Sequence, residues 1–560
     1  MSSVTAKASS ATLDRTAPAE RRWLVLVVAA VAQLMLVLDG TIVNIALPSA
    51  QQDLGFSDSQ RQWVVTAYAL SFGSLLLVGG RLGDMFSRKW VFLIGLVGFA
   101  IASAIGGAAG SFAVLVTARA LQGAFGAVMA PAALSTLVST FTDPRERGRA
   151  FGVFGSVASG GSAIGLVLGG VLTQYFSWRW CLYVNLLFAA IAVVGALAYL
   201  RGGRPANPPR MDWLGAVLAC VGLFGIVFGF SQVGTAGWTA PQTLGSLVGG
   251  VVLLAAFVFA EQRVPHPLLP LRVIVDRVRG GAYVAVGISG IAIFGTFLFL
   301  TFYLQIVKGF SPLTTGLLFL PMTVSILISS NVSSNIGLGP RVLIAAGMLL
   351  SAGGMALLTQ VTVTSSYVSA VLPALIILGL GLGQIFAQAI NTATAGVSRE
   401  DSGVASALVN TMQQVGGSIG TALLSTIALS ATAAYLAGHA TGPEAQAIAS
   451  TYGYTVAFAV SAGLLLIGFV LAIVLVPSRR RLAELRDAGA ATASAAAAGP
   501  TTVASPVVGP AARAPAAVVA IPPRPQRSEA IPVALCSCSP LVNHQDQVRT
   551  PHSTYAEPTC

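Results

Sequence analysis

Long apolar stretches recur along the chain and restrict its fold more than any other feature. They begin near Trp23, end near Val476 and run for about 18 to 25 residues each. A helix of that length crosses a hydrocarbon core of roughly 30 Å, where backbone groups must find their hydrogen bonds within the protein. Composition agrees, because 55% of the 560 residues are hydrophobic and only 9% are charged. We therefore predict an all-α membrane protein.

Polar breaks divide the apolar region into about fourteen predicted transmembrane helices. An even number of helices places both termini on the same side of the membrane. The breaks fall near Gln51, Gly83, Gly110, Asp143, Ser177, Pro205, Trp238, Pro265, Gly309, Asn335, Ser366, Val397 and Gly442.

The formal net charge of +12 could indicate a nucleic-acid partner, but the positions of the basic residues argue otherwise. They concentrate in alternate loops, with about 23 on the side of the termini against 3 on the other, which are Arg61, Arg179 and Lys308. The positive-inside rule then predicts two cytoplasmic termini in the plasma membrane. Topology explains the excess charge, so we expect no nucleic-acid partner.

A weak internal repeat suggests two related halves. Residues 142–165 and 396–420 each place Arg and Glu in a short loop before a small-residue helix with a Gly-Gly pair. Parallel six-helix repeats are typical of transporters that hold substrate between their halves. The predicted division is a cytoplasmic N-terminal tail (1–22), an N-terminal six-helix bundle (23–200), an inserted helix pair with cytoplasmic linkers (201–280), a C-terminal six-helix bundle (281–476) and a disordered Ala/Pro-rich cytoplasmic tail (477–560).

Asp39 is the exception among acidic residues that otherwise lie in loops and tails, because it falls inside the first span. It precedes Pro48 by about nine residues, so we place it roughly 13 Å from the outer helix end. Arg119 lies at a matching depth of roughly 10 Å on the fourth span. Intramembrane ionisable residues are functional candidates, and this pair could bind and release a proton. A permanent ion pair that fixes the two helices is the alternative.

Further polar or flexible side chains in the spans are candidates for lining a substrate cavity. Gln122 follows Arg119 by one helical turn, and helix-wheel positions give Asp39 apolar neighbours, Met35 among them. Such amides could line a wet cavity or simply bridge helices. The cavity candidates are Met35, Asn44, Gln384, Gln388, Asn391, Asn410 and Gln413.

Several motifs expected of other protein classes are missing. The four histidines, His266, His439, His544 and His552, fall in loops or the tail, and no span carries a nucleophile with a base. The P-loop sequence is also lacking, so ATP is not the expected energy source. Cys536, Cys538 and Cys560 lack the spacing of a closed zinc site. We expect neither enzyme activity nor a metal or other cofactor.

The segments LDGTIVNIALP (38–48), GGRLGD with RK (79–89) and RALQG (119–123) resemble signatures of the major facilitator superfamily. More narrowly they resemble its fourteen-helix drug:proton antiporters of the multidrug resistance type. The resemblance covers about residues 20 to 476 and implies two six-helix bundles plus two inserted helices. It also implies that Asp39 and Arg119, with Gln122, couple protons to substrate.

The resemblance implies two further functional elements. The first is a cytoplasmic latch formed by Gly80, Gly83, Asp84, Arg88 and Lys89, although a basic loop that only sets topology is the alternative. The second is the antiporter motif of the fifth span, represented by Gly161, Gly165, Gly169 and Gly170. Leu166 stands where the family has proline, which puts the family's kink in doubt. The glycines could serve static packing or sliding.

The implied function is proton-driven export of drugs, antibiotics or other lipophilic, often cationic, small molecules by alternating access. The expected partners are that substrate, protons and the lipid bilayer, with a monomer as the functional unit. A proton-coupled importer of a nutrient or metabolite on the same scaffold is the alternative.

Overall fold

The structure, a computed structural model, is almost entirely helical over the residues that it describes. Those residues are 19–141, 143–200, 202–203, 211–264, 267–269, 277–393, 402–439, 442–476, 478–481 and 484. Most of the predicted N-terminal tail, the linkers and the C-terminal tail with Cys536, Cys538 and Cys560 therefore lie outside the described residues, as does the side chain of Asp84.

The helices follow one another with short connections. The first eight are α1 (Ala19–Leu54), α2 (Asp58–Met85), α3 (Arg88–Gly107), α4 (Phe112–Thr140), α5 (Pro144–Tyr175), α6 (Trp180–Tyr199), α7 (Trp213–Ala236) and α8 (Pro241–Glu261). The next seven are α9 (Arg277–Phe302, continued by a π turn, Tyr303–Val307), α10 (Pro312–Leu318), α11 (Leu320–Asn335), α12 (Pro340–Leu358), α13 (Leu372–Ala393, preceded by a π turn, Tyr367–Val371), α14 (Ser402–Ala437) and α15 (Pro443–Leu475).

Fourteen segments of the described chain are long and apolar enough to cross a bilayer, with α10 and α11 together forming one of them. The predicted number of spans and the all-α class are therefore confirmed. Polar caps mark where some of the helices begin. Ser57 and Gln60 form a capping box at α2, and Asp143 accepts hydrogen bonds from the N–H groups of Arg145 and Glu146 at α5.

Helix α1 is longer than the sequence indicated. The expected outer end near Pro48 was wrong, because Pro48 lies inside the helix, which continues to Leu54 and ends at Gly55 with φ of 66°. A membrane helix tolerates the one backbone hydrogen bond that proline removes, and glycine at positive φ is a common helix stop. Asp39 consequently lies roughly 22 Å from the end of α1.

Glycines bring the first and fifth helices of each predicted bundle together in the same way. On α5, a Cβ at Gly161 would lie 3.1 Å from Leu34 of α1. On α14, a Cβ at Gly417 or Gly420 would lie 2.6 Å from Phe294 or Ile291 of α9. Small residues allow this close backbone approach, which compensates for the lack of a hydrophobic driving force in lipid. The shared packing agrees with the internal repeat, while the domain boundaries stay a prediction.

The inserted helices α7 and α8 form a hairpin whose glycines touch. A Cβ on Gly225 would lie 3.2 Å from Gly250, and one on Gly229 would lie 2.7 Å from Leu247. Helix α7 also packs against α2 and α14. The insertion thus lies beside the place where α2 of the N-terminal bundle contacts α14 of the C-terminal bundle.

Candidate functional site

Asp39 lies in the interior of the first six helices and is fully buried. Its Oδ2 accepts a hydrogen bond from Nη1 of Arg119 at 2.5 Å. Its Oδ1 accepts from Nε2 of Gln122 at 3.0 Å and from Nδ2 of Asn185 at 2.8 Å. The pairing expected from the matched depths is present. The expected apolar surroundings were wrong, because three donors converge on this carboxylate.

Arg119 is held by more than its ion pair. Its Nε donates to the carbonyl of Val64 at 3.2 Å, and its Nη1 also donates to Oε1 of Gln122 at 2.8 Å. The guanidinium carbon lies 4.4 Å from the centre of the Tyr68 ring, which is within cation–π distance. Helix α2 therefore fixes the arginine through a backbone oxygen and an aromatic face, while α4 supplies the side chain.

Two residues of this network were missed by the sequence analysis. Ser103 of α3 accepts from Nε2 of Gln122 at 2.7 Å and from Nδ2 of Asn185 at 3.4 Å. Asn185 could have been found, because an amide in an apolar span indicates a hydrogen bond to another helix. A single serine in a span, such as Ser103, gives almost no such indication. Oδ1 of Asn185 is buried and accepts no hydrogen bond from a described donor.

The remaining cavity candidates do not join this network. Met35 is fully buried in the apolar core, and Asn44 donates to the carbonyl of Gly40 within α1. Gln388 is buried and donates to the carbonyl of Ser333 at 3.4 Å. Elsewhere on the second six helices, the half-buried candidates are Gln384 and Gln413, and the exposed ones are Asn391 and Asn410. A role in substrate contact stays a prediction for all of them.

Of the predicted latch residues, Lys89 and Gly80 contact their own half of the chain. Nζ of Lys89 donates to the carbonyl of Leu197 at 3.0 Å, and Arg88 is exposed. A Cβ on Gly80 would lie 3.8 Å from Pro131, and one on Gly83 would meet no atom within 4 Å. The close approach is made instead by Gly79, whose Cβ would collide with backbone atoms of α4. The described contacts do not test the latch, which stays a prediction, as does the role of Asp84 in it.

Helix α5 presents its motif glycines to two different helices. Gly165 and Gly169 face α1, where added Cβ atoms would meet Thr41 and Ile42. Gly170 faces α10, where a Cβ would lie 2.5 Å from the Cα of Leu313. Leu166 is fully buried, and its carbonyl fills the space beside Gly316. Helix α5 runs unbroken from Pro144 to Tyr175 and contacts both predicted bundles.

The two predicted bundles touch near the end of α1 that carries Pro48. Nε2 of Gln305 donates to the carbonyl of Ile45 at 3.0 Å. The buried guanidinium of Arg61 lies 4.0 Å from the centre of the Phe302 ring and 5.7 Å from that of Tyr454. A cavity of about 330 Å³ remains beside these contacts, with Arg61, Phe302 and Tyr454 in its wall.

At the opposite end of α5, the helix surface is open. Added Cβ atoms on Gly152, Gly155 and Gly160 would meet nothing within 4 Å, whereas Gly170 is in tight contact. Helix α5 therefore meets the second half of the chain near its C-terminal end, and its N-terminal glycines are uncovered.

Comparisons with known proteins give a consistent result. A family model described as Major Facilitator Superfamily matches residues 29–421. The puromycin resistance protein pur8 of Streptomyces alboniger is 49% identical over 472 residues, covering 83% of this chain and 94% of that protein. The cephamycin export protein CmcT of Amycolatopsis lactamdurans is 37% identical over 441 residues, covering 76% of this chain and 89% of its own length.

A third relative and two solved structures extend the comparison. The tetracenomycin C resistance and export protein of Streptomyces glaucescens is 35% identical, covering 72% of this chain and 75% of its own. An inward-facing, unoccupied bacterial homologue of the human lysosomal transporter Spinster has a TM-score of 0.57 at 15% identity, covering 82% of this chain and 98% of its own. A peptide transporter, POT, in complex with sulfate has a TM-score of 0.59 at 16% identity, covering 83% and 95%.

Proposed function

The chain belongs to the major facilitator superfamily, and we propose that it exports antibiotics or other lipophilic small molecules in exchange for protons, by alternating access. The family and these relatives are those of a multi-pass membrane transporter rather than an enzyme. Three relatives are named for resistance to, or export of, an antibiotic, and they match most of the chain. Export is therefore favoured over nutrient import on the same scaffold.

The buried network around Asp39 is the observation that carries the proposal. Loss of hydration favours the neutral form of a buried carboxyl group, while a neighbouring guanidinium favours the charged form. Asp39 is fully buried and its counter-ion is Arg119, so a proton and the guanidinium compete for the same carboxylate. We propose that a structural change which separates Arg119 from Asp39 leaves the carboxylate to the proton.

Proton entry supplies enough free energy for this task. One charge crossing a membrane potential of about 150 mV is worth roughly 3.5 kcal/mol. This amount supports a concentration ratio of a few hundred for an exported substrate. A further cofactor is not needed in this scheme, since the proton gradient provides the driving force.

Asn185 gives the network a way to respond to the proton. A charged Asp39 only accepts hydrogen bonds, whereas a protonated one must also donate. The Oδ1 of Asn185 is a buried acceptor without a described donor, and Nδ2 of the same amide already contacts Asp39. Rotation of this amide would let the protonated carboxyl donate to Asn185. Arg119 would then lose its counter-charge and shift towards Gln122 and Val64, with which it already bonds.

The contacts between the bundles suggest the conformational state. The bundles touch near Pro48 and along α2 and α14, whereas the N-terminal half of α5 is uncovered. We place the termini and the Arg88 end on the cytoplasmic side of the plasma membrane, by the distribution of basic residues. The uncovered half of α5 then lies on the cytoplasmic side, which supports a state that collects its substrate inside the cell. The proposed unit is a monomer in the lipid bilayer.

Transport in inverted membrane vesicles tests the proposal directly. We expect a proton gradient to drive accumulation of puromycin or a lipophilic cationic dye, and we expect Asp39→Asn to abolish it while the protein remains folded in the membrane. Glu444→Gln, at the exposed start of α15, is the matched control and should transport normally. Full proton-driven transport by Asp39→Asn would overturn the coupling role, and substrate uptake by whole cells would instead favour import.

A further inference from the structure

A second pair of buried acidic side chains lies at one end of the inserted hairpin, away from Asp39. Asp212 is the residue immediately before α7, and Glu261 is the last residue of α8. Their exposed fractions are only 7% and 4%. Neither belongs to the network at Asp39, and neither was among the predicted functional residues.

The hydrogen bonds of the two carboxyl groups leave one oxygen unused. Oε1 and Oε2 of Glu261 accept from the backbone N–H groups of Leu268 and Leu269, at 3.1 and 3.2 Å. Oδ1 of Asp212 accepts from the N–H of Gly215 at 2.9 Å and thereby caps α7. Oδ2 of Asp212 is buried and has no partner among the described donors. A buried acceptor in this condition is costly unless something supplies a proton.

The unused oxygen lies close to Glu261, on the other side of a small space beside Gly215. A Cβ on Gly215 would contact Oδ2 of Asp212 and lie 2.9 Å from Oε1 of Glu261, so both oxygens border the same small space. Two charged carboxylates in such a site repel each other, whereas one shared proton turns the repulsion into a hydrogen bond.

Two nearby cations are engaged with other groups. Arg81 of α2 donates to the carbonyl of Pro267, and the guanidinium of Arg263 lies 3.9 Å from the centre of the Phe259 ring. On α9, Arg279 is buried one turn before Tyr283, whose hydroxyl donates to the carbonyl of Ala405. His266 lies outside the described residues. The described contacts thus leave a proton as the simplest way to satisfy Oδ2.

Glu261 holds a short segment between the two predicted bundles, Pro267–Leu269. Leu268 packs with Val78 of α2 and Ala216 of α7. Leu269 packs in a different apolar cluster, with Tyr283 of α9. Arg81 of α2 also binds this segment. The segment therefore links α2 to α9, and the carboxyl pair holds it in place.

We infer that Asp212 and Glu261 form a second proton-binding site, in which one shared proton keeps residues 267–269 docked between α2 and α9. Loss of that proton at higher pH leaves two charges facing each other, and Glu261 then releases the two N–H groups. The inserted hairpin thereby acts as a proton-sensitive link between the bundles. The site is independent of Asp39, and its test needs no substrate.

Hydrogen–deuterium exchange of the full-length protein reports directly on the amides of Leu268 and Leu269. After correction for the intrinsic pH dependence of exchange, we expect protection of a peptide spanning 267–269 to fall in the wild type as pH rises. Asp212→Asn should keep it protected at every pH, because the amide oxygen still caps α7 and Nδ2 replaces the shared proton as donor to Glu261. Glu261→Ala should lose the protection at every pH.

Asp143→Asn is the matched control, since Asp143 caps α5 in the same manner but is exposed. It should leave the pH dependence at 267–269 unchanged, as should Asp39→Asn. Equal protection of wild type and Asp212→Asn at all pH values would overturn the inference, and so would loss of the pH dependence in Asp39→Asn.

Discussion

Replacing Arg119 with alanine removes the cation from the buried network and leaves the acid behind. The variant loses the ion pair to Asp39, the bond to the Val64 carbonyl and the contact with the Tyr68 ring. Gln122 and Asn185 still donate to Asp39, so the carboxylate is only partly compensated. We expect loss of transport together with a loss of stability.

The size of the effect follows from the burial of the pair. Removing one partner of a buried ion pair costs about 3–5 kcal/mol, because it strands the other charge. The two remaining donors and protonation of Asp39 offset part of this cost, so we expect about 3 kcal/mol. If the N-terminal bundle of roughly 180 residues melts as a unit, that corresponds to a fall in Tm of about 6–12 °C.

The Tm of each detergent-purified variant can be measured by heating samples and quantifying the remaining folded protein by size-exclusion chromatography. The informative comparison is the double variant Asp39→Asn with Arg119→Ala, which removes both charges. The asparagine Oδ1 can still accept from Gln122 and Asn185, and its Nδ2 can donate to Oε1 of Gln122, which Arg119 vacates. We expect the double variant to regain most of the lost Tm while transport stays absent.

Two outcomes would refute this reasoning. If Arg119→Ala melts like the wild type, the pair contributes no net stabilisation, and the electrostatic argument fails. If the double variant is no more stable than the single one, the cost comes from lost packing of the arginine side chain instead of the stranded charge.

Three further predictions test other parts of the site. Gly165→Val should destabilise the protein by about 1–3 kcal/mol in a melting experiment, since its side chain would collide with α1, whereas Gly152→Val, in open space, should be near neutral. Arg61→Ala should loosen the contacts between the bundles near Pro48 and raise the labelling rate of cysteines placed in the adjacent cavity. An unchanged labelling rate would show that Arg61 does not hold these contacts together. Asn185→Leu should abolish proton-driven transport with a Tm within a few degrees of wild type, and retained transport would remove Asn185 from the coupling step.

The positions of the helices were predictable from the sequence because lipid imposes strong limits on what can cross it. Hydrophobic length predicted the spans, and the described residues contain the expected fourteen. The superfamily expected from the motifs agrees with the family match. The pairing of Asp39 with Arg119 was also accessible, because a buried charge requires a partner and few ionisable side chains lie in the spans. These inferences depend only on depth along each helix.

The parts that depend on helix rotation were not accessible. Ser103 and Asn185 contact the network only because α3 and α6 turn one particular face towards α1 and α4. The same limitation led to apolar surroundings being expected for Asp39. Asp212 and Glu261 were overlooked because each lies at the end of a span, where an acid normally meets water. The structure buries both, and residues 268 and 269 fold back onto Glu261.

The burial of Asp39 within one bundle determines how protonation can reach the substrate pathway. The acid does not lie at the contact between the bundles, so its effect must pass through the helix that carries it. Helix α1 has Thr41 and Ile42 against the glycines of α5 within one turn of Asp39, and Ile45 against Gln305 of the second half. Helix α5 in turn touches α10 through Gly170. A shift of α1 on protonation would therefore act on both contacts between the bundles near Pro48, that of α1 with Gln305 and that of α5 with α10. Coupling then requires that α1 and α5 pack rigidly and move together.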